Sequence, residues 1–138
     1  MARAQSRLNS GILLLDSEGL AKAVRADAAV TAYIRAAQQA DMVIGVSILT
    51  LLEAYHSGVR MERFRWTTSR LEVVPVSEAI GWKAMQLLKD AGLHGHKYAI
   101  DSVVAATALS FAGARIIMTS DIDDIQRLCD RSVELAKV

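Results

Sequence analysis

The stretch that decides the fold is Tyr98–Asp124, YAIDSVVAATALSFAGARIIMTSDIDD, which predicts a helix, a glycine turn, a buried strand and an acidic elbow. Residues 103–109, VVAATAL, are apolar on nearly every helical face, which predicts burial on more than one side. The first helical turn nevertheless carries Asp101, and the apolar run 116–118 leads into Asp121. Because crossover helices start where parallel strands end, both acids are expected at the sheet edge that binds ligands in open α/β proteins.

The composition indicates one globular domain covering residues 1–138, with 52% hydrophobic and 22% charged residues. The net charge of +1 argues neither for nor against a nucleic-acid partner. No apolar run approaches the roughly 18–20 residues of a membrane span, and Ile12–Leu15 is too short for a signal peptide. The single Cys129 fits a reducing compartment, so we expect a cytoplasmic protein without membrane contact. Residues 1–11 are expected to form a flexible basic arm.

Short apolar runs alternate with helical patterns along the rest of the chain. The predicted strands are 12–15, 42–46, 71–74, 116–118 and an edge strand at 133–138. Ser47 and Ser77 are predicted N-caps of the helices that follow the second and third strands. Residues 16–19 are predicted to form a turn, and 92–97 a loop. The alternation predicts an α/β fold, a three-layer α/β/α sandwich around a mainly parallel sheet.

A set of acids follows the predicted strand ends or opens the following helices. Its members are Asp16, Glu53, Asp101 and Asp121, with Asp124 one turn beyond Asp121. Two carboxylates about 5 Å apart repel by roughly 3 kcal/mol at an effective dielectric constant near 20, so the cluster requires protons or cations. Oxygen ligands favour Mg²⁺ first and Mn²⁺ second. Such an ion suits phosphodiester hydrolysis, because it positions water and stabilises the developing charge.

Each acid also has a purely structural explanation. The helix dipole favours Asp101 in a first turn, Asp121 can act as an N-cap, and Asp16 can begin a turn. Glu53 is harder to explain in this way, because its helical neighbours are apolar on both sides. The recurrence of acids at corresponding positions of a repeated β–α plan favours a site.

The other candidate groups are weaker. Glu53 and His56 have the E-x-x-H spacing of di-iron bundles, but this chain has only one such helix and those proteins need two. His94 and His96 lie in a Gly-rich loop without a paired cluster and are predicted to face solvent. Cys129 lacks the context of a nucleophile and is predicted to be a core residue.

The segment 59–70, VRMERFRWTTSR, interleaves four arginines with Phe64 and Trp66. One interpretation is a solvated charged face, which is the usual fate of such charges. The other is a surface that contacts the phosphates and bases of a nucleic acid, or the acidic helix of a partner protein. The sequence leaves both interpretations open.

Four segments resemble the PIN-domain family, specifically the VapC-type toxin ribonucleases of type II toxin–antitoxin systems. They are Leu15–Ser17, Ser47 to Glu53, Ala99–Ala108 and Thr119–Asp124, and they follow the family's order from about residue 12 to 133. The acids alone are moderately specific. The segments IDSVVAATAL and TSDIDD at this spacing make the resemblance strong.

The resemblance implies a PIN-like α/β/α fold and a Mg²⁺- or Mn²⁺-dependent endoribonuclease that hydrolyses RNA. The metal-binding and catalytic residues that it implies are Asp16, Glu53, Asp101 and Asp121, with Asp124 as an outer or second-metal ligand. Ser17 and Thr119 are expected to orient the carboxylates, and Asp123 to point outward. The implied partners are an RNA substrate, a cognate antitoxin and a second copy of the chain. The segment 60–70 lies where relatives often build a substrate- or antitoxin-binding helix pair.

Two rival functions remain at this stage. A PIN-like module could bind RNA or a protein without cutting, although the intact acids argue against this. A receiver-like signalling domain would place a phosphorylated Asp at the same kind of sheet edge. That alternative fits poorly, because no Asp lies at the end of the strand at 42–46 and no suitably placed Lys follows the last strand.

Overall fold

The computed structural model describes residues 10–138, so the expected arm at 1–11 lies outside the described residues except for Ser10 and Gly11. The strands are β1 Ile12–Leu15, β2 Val43–Ser47, β3 Glu72–Val74, β4 Arg115–Thr119 and β5 Val133–Lys137. The helices are α1 Ser17–Val24, α2 Ala28–Gln39, α3 Ile48–Ala54, α4 Met61–Ser69, α5 Glu78–Ala91, α6 Gly95–Leu109 and α7 Ile122–Leu128. None of these helices is long and apolar enough to cross a membrane.

The five strands form one parallel sheet in the order β3-β2-β1-β4-β5. The predicted parallel α/β fold is therefore confirmed. Leu15 at the end of β1 lies opposite Val46 of β2 and Met118 of β4, so these three strands end at a common edge. The strand order reverses at β1 and β4, which makes the gap beyond their carboxyl ends the switch point where open sheets bind ligands. A receiver domain has the order 2-1-3-4-5, so that alternative is wrong.

Side chains of β1 alternate between the two faces of the sheet, and helices cover both faces. Leu13 and Leu15 pack with side chains of three helices on one face: Leu20 of α1, Val30 and Ala37 of α2, and Phe64 of α4. Ile12 and Leu14 pack on the other face with Val104 and Ala108 of α6 and Ile125 of α7. The predicted three-layer arrangement follows from this alternation, since each strand residue must bury its side chain on one side or the other.

Helix α6 is buried along most of its length, as its composition predicts. Every residue from Ser102 to Ala108 is buried. Val104 faces the sheet, while Val103 and Ala106 pack against Ile80 and Ala84 of α5. Burial between the sheet and a second helix fixes the position of α6, and with it the position of Asp101 near its start.

The predicted turn at 16–19 is wrong, because α1 begins at Ser17 and includes Gly19. Glycine commonly marks a turn, but here its lack of a side chain serves close packing. A Cβ atom at Gly19 would lie 3.1 Å from the carbonyl oxygen of Met118 in β4. The glycine therefore lets α1 approach the sheet and start directly beside Asp16.

The predicted loop at 92–97 is wrong in its second half, because α6 begins at Gly95. Tyr98 interrupts the helix with φ −110° and ψ 17°, and its ring is buried. Asp101 consequently lies beyond the first turn of α6, three residues after this break. Asp101 therefore lies near the start of the regular helical part of α6, just before the buried run from Ser102 to Ala108.

Candidate metal centre

Asp16 directly follows β1 and is the N-cap residue of α1. Its side chain is almost fully buried, with 4% exposure. Oδ1 accepts a hydrogen bond from the backbone N–H of Ser17 at 2.9 Å, and Oδ2 accepts one from Thr119 Oγ1 at 2.8 Å. Burial raises the pKa of Asp16, and these hydrogen bonds partly offset that effect. Two hydrogen bonds fix the position of the carboxyl group, but its burial disfavours the ionised form.

Thr119 connects the two central strands at the site. It is the last residue of β4 and is fully buried. Its hydroxyl group donates to Asp16 and accepts a hydrogen bond from the backbone N–H of Asp121 at 2.9 Å. One side chain thus sets the position of the first carboxylate and of the backbone that carries the second.

Asp121 occupies the N-cap position of α7, yet its side chain makes no capping hydrogen bond to any described residue. Its φ of −100° and ψ of 57° lie outside the extended range of the caps at Ser47 and Ser77. The structural explanation considered for Asp121 therefore does not hold in this structure. The carboxylate is exposed and available to bind a ligand.

Three of the predicted acids come together at the switch point. One carboxylate oxygen from each of Asp16, Asp101 and Asp121 lies within 4.8 Å of the other two. Burial raises the pKa of Asp101 to about 6, helped by the charges of Asp16, Asp121, Asp124 and Glu53 in that order. The three carboxylates therefore lie close enough to repel one another when all are ionised.

Glu53 and Asp124 lie outside this group of three. Glu53 is exposed on α3, although partial burial of its carboxyl group raises its pKa. A hydrogen bond from the Ser17 side chain opposes that rise, while the charges of Asp16 and Asp121 add to it. Asp124 is half-buried in the first turn of α7, and its charge contributes to the raised pKa of Asp101. Glu53 and Asp124 therefore lie near enough to Asp16, Asp101 and Asp121 for their charges to interact with them.

Comparison with solved structures supports the same architecture. A chain of VapBC2 from Rickettsia felis, bound to a DNA fragment from their promoter, is 17% identical and superposes with a TM-score of 0.67. The match covers 92% of this chain and 98% of that chain. A chain of a toxin–antitoxin complex from Klebsiella pneumoniae is 18% identical, with a TM-score of 0.64 and coverage of 88% and 94%. The chain has a PIN-like fold.

These identities are low, so the likeness concerns the PIN-like fold and not the activity. No protein-family model matches the sequence, and the search of curated proteins finds no match. The function of this chain is therefore inferred from the residues of the site.

The donor set of this PIN-like chain fits a hard divalent cation. All three clustered donors are carboxylate oxygens, the ligand type that Mg²⁺ and Mn²⁺ prefer. Thr119 orients Asp16 from outside the group, as hydrogen-bonded neighbours of metal ligands do. A cation would also offset the neighbouring negative charges, which add to the effect of burial on the pKa of Asp101. In the part of the chain that the structure describes, no histidine or cysteine joins such a group.

His94, His96 and Cys129 lie where the sequence placed them. His56, His94 and His96 are exposed, and His56 Nδ1 accepts a hydrogen bond from the backbone N–H of Gly58. Cys129 is partly buried against the core, and burial raises the pKa of its thiol to about 12. An unreactive thiol of this kind is consistent with a core residue.

Sequence reasoning missed Lys137. It lines a cavity of about 420 Å³ together with Asp121 and Asp124. Its position follows from the parallel register of β4 and β5, in which Thr119 lies opposite Lys137. Only the pairing of the edge strand places this ammonium group near the acids, so no local motif could have indicated it.

Proposed function

We propose that this protein is a metal-dependent endoribonuclease that hydrolyses RNA phosphodiester bonds, and the toxin component of a toxin–antitoxin pair. The observation that carries the proposal is the group formed by Asp16, Asp101 and Asp121 at the switch point, with three oxygens within 4.8 Å. The PIN-like fold and the resemblance of the four sequence segments support the reaction and the substrate class.

In this proposal Asp16, Asp101 and Asp121 hold Mg²⁺, or Mn²⁺ in its place, and Glu53 and Asp124 complete the acidic site. The bound ion supplies Lewis-acid stabilisation of the charge that develops on the phosphodiester. Thr119 keeps the Asp16 carboxylate oriented through its hydrogen bond. Because the pKa of Asp101 is about 6 without a cation, ion binding near neutral pH displaces a fraction of a proton from this carboxyl group.

The partner part of the proposal comprises a cognate antitoxin and a second copy of the chain. The similar solved structures are toxin–antitoxin complexes, which supports the antitoxin. Ile48, Leu52 and Tyr55 are exposed and share one face of α3, at i, i+4 and i+7. An exposed apolar stripe of this kind is typical of an interface. We also propose that the protein acts in the cytoplasm, because a free cysteine such as Cys129 is typical of a reducing compartment.

The experiment that tests the function is a cleavage assay on a pool of structured RNAs with Mg²⁺, Mn²⁺ or EDTA. Asp101→Asn removes a charge at constant volume, so it should abolish cleavage while the protein stays folded. Asp123→Asn is the matched control, because Asp123 is exposed on α7 and does not contribute to the pKa shift of Asp101. Sequencing the ends of the fragments would identify the target RNA.

Two outcomes would contradict the proposal. Cleavage by Asp101→Asn at the wild-type rate would show that the site is elsewhere. No cleavage under any metal, with RNA still retained by the folded wild-type protein, would instead support the non-catalytic PIN-like binding module.

A further inference from the structure

Lys137 is the last residue of β5 and lies on the face of the sheet that α7 covers. Leu135, two residues earlier, packs against the apolar cluster that contains Ile125 of α7. Because alternate residues of a strand share one face, Lys137 lies on the α7 side as well. The parallel register places it opposite Thr119, at the point where β4 leads into Asp121. Strand alternation and register together bring the lysine to the acidic edge of the sheet.

Lys137 shares a cavity of about 420 Å³ with acids of the site. The lining of this cavity includes Lys137, Asp121 and Asp124. Asp121 supplies one of the three clustered carboxylate oxygens, and the charge of Asp124 acts on Asp101. The volume lies within the range of about 300–1,000 Å³ that is usual for small-ligand sites. The lysine therefore borders the same space as two of the proposed acids.

The ammonium group of Lys137 is available to bind an anion. The residue is exposed, and the salt bridge observed within residues 10–138 joins Arg25 to Glu18 and does not involve it. Among the described residues that line the cavity, Lys137 is the one cation. Its three N–H donors are therefore not committed to a carboxylate of the described chain.

The acids alone would repel the RNA that the site is proposed to cut. The five acids of the proposed site carry a charge of −5 when ionised, and one bound divalent cation leaves −3. An RNA strand carries one negative charge at each phosphate, so this remaining charge opposes its approach. A lysine beside the acids supplies a point charge that attracts a phosphate at this place.

We infer that Lys137 contacts a phosphate of the RNA strand beside the bond that is cut at the acidic site, on the side of α7. This inference rests on the proposed function. The contact would hold the strand in the cavity next to Asp121, and so would position the neighbouring phosphodiester at the metal-binding acids. Because β5 is an edge strand, the alternative role of Lys137 is to prevent pairing with another chain. That role predicts no effect on RNA binding.

RNA binding can be measured without cleavage. The probe is a fluorescent single-stranded RNA of about 10 nucleotides, titrated with the full-length Asp101→Asn protein in EDTA. Adding Lys137→Met to this background should weaken binding about 10-fold, because one charge-assisted contact with a phosphate is lost. It should also make the slope of log affinity against log salt shallower by about 0.7. Lys137→Arg keeps the charge and should restore most of the affinity.

Lys89→Met is the matched control, because it removes the same charge from the last turn of α5. Lys89 is exposed and does not line the cavity. The control should bind RNA as tightly as the parent protein and with the same salt dependence. Thermal melting of each variant establishes that it is folded.

Cleavage in Mg²⁺ by the otherwise wild-type protein gives a second measurement. Lys137→Met should raise KM about 10-fold and leave kcat within about 2-fold, since the flanking phosphate is held equally in the ground state and the transition state. Its Mg²⁺ affinity, measured by calorimetry, should not fall, because removing a neighbouring positive charge does not disfavour a cation.

Equal RNA affinities of the Lys137→Met and Lys89→Met variants would overturn the inference. The inference also fails if Lys137→Met gains Mg²⁺ affinity or self-associates but binds RNA like the parent, since the lysine would then only offset the acids or protect the strand edge. Cleavage by Lys137→Met with an unchanged KM would contradict this inference and leave the proposed ribonuclease standing. A wild-type protein that binds RNA through Lys137 but never cuts it would support this inference and contradict the ribonuclease.

Discussion

Thr119 has the residue type that its position requires, since its hydroxyl group donates to Asp16 and accepts from the Asp121 backbone. A hydroxyl group is the smallest side-chain group that can do both. Because Thr119 is fully buried, water cannot replace either contact cheaply. The geometry of two acids therefore depends on one uncharged residue.

We expect Thr119→Val to lower Mg²⁺ affinity about 10- to 100-fold, since it removes an orienting hydrogen bond at nearly constant volume. Isothermal titration calorimetry with Mg²⁺ measures the change. Thr119→Ser retains the hydroxyl group and should stay close to wild type. Equal affinities for the valine and serine variants would show that the hydrogen bond does not position a ligand.

At the residue scale, sequence position predicted the meeting of Asp16, Asp101 and Asp121, but it also placed Glu53 with them and did not indicate how the acids are held. Asp16, Asp101 and Asp121 could be predicted because each lies near a strand end or a helix start. Whether Asp121 caps α7 or faces a ligand depends on its backbone angles, which the local sequence does not determine. The exposure of Glu53 was likewise unpredictable, because Leu52 beside it is itself 70% exposed and the apolar neighbours do not enclose it.

At the element scale, hydrophobic periodicity and caps predicted most strands and helices, and close packing explains the errors. Gly19 was interpreted as a turn residue, whereas contact with the β4 backbone is what requires it. The sequence pattern around Tyr98 also did not predict the break in α6 at this residue. Ser47 and Ser77 illustrate the opposite case, because each caps its helix as predicted.

These two caps provide a test of how an element supports the site. Ser47→Ala and Ser77→Ala should each lower the free energy of unfolding by about 1 kcal/mol, because each removes a capping hydrogen bond. Only Ser47→Ala should also reduce RNA cleavage, since α3 carries Glu53 and α5 carries none of the proposed acids. Urea denaturation and the cleavage assay measure the two effects. Equal cleavage by both variants would show that α3 does not need its cap to hold Glu53 in place.

At the scale of the whole molecule, the sheet topology concentrates negative charge at one edge. Helices α1, α3 and α7 begin directly after the ends of β1, β2 and β4. Burial raises the pKa values of Asp16, Glu53 and Asp101. These carboxyl groups therefore bind more protons in the folded protein than in the unfolded chain between the ordinary aspartate pKa of 3.8 and about 6. The stabilisation from these protons is complete below the lower value and is lost as pH rises through the upper one.

The metal-free protein should accordingly have a higher free energy of unfolding at about pH 5 than at about pH 7.5. Denaturation in EDTA at both pH values measures this difference, and Asp101→Asn should reduce it, whereas Asp123→Asn should not. Mg²⁺ at about 100 times its Kd should add about 2.7 kcal/mol near pH 7.5 and less at pH 5, where protons compete for the same carboxylates. If the EDTA-treated protein were equally stable at both pH values, folding would not raise the pKa values of these acids. The metal would then have no repulsion to relieve, and the edge would be an ordinary solvated surface.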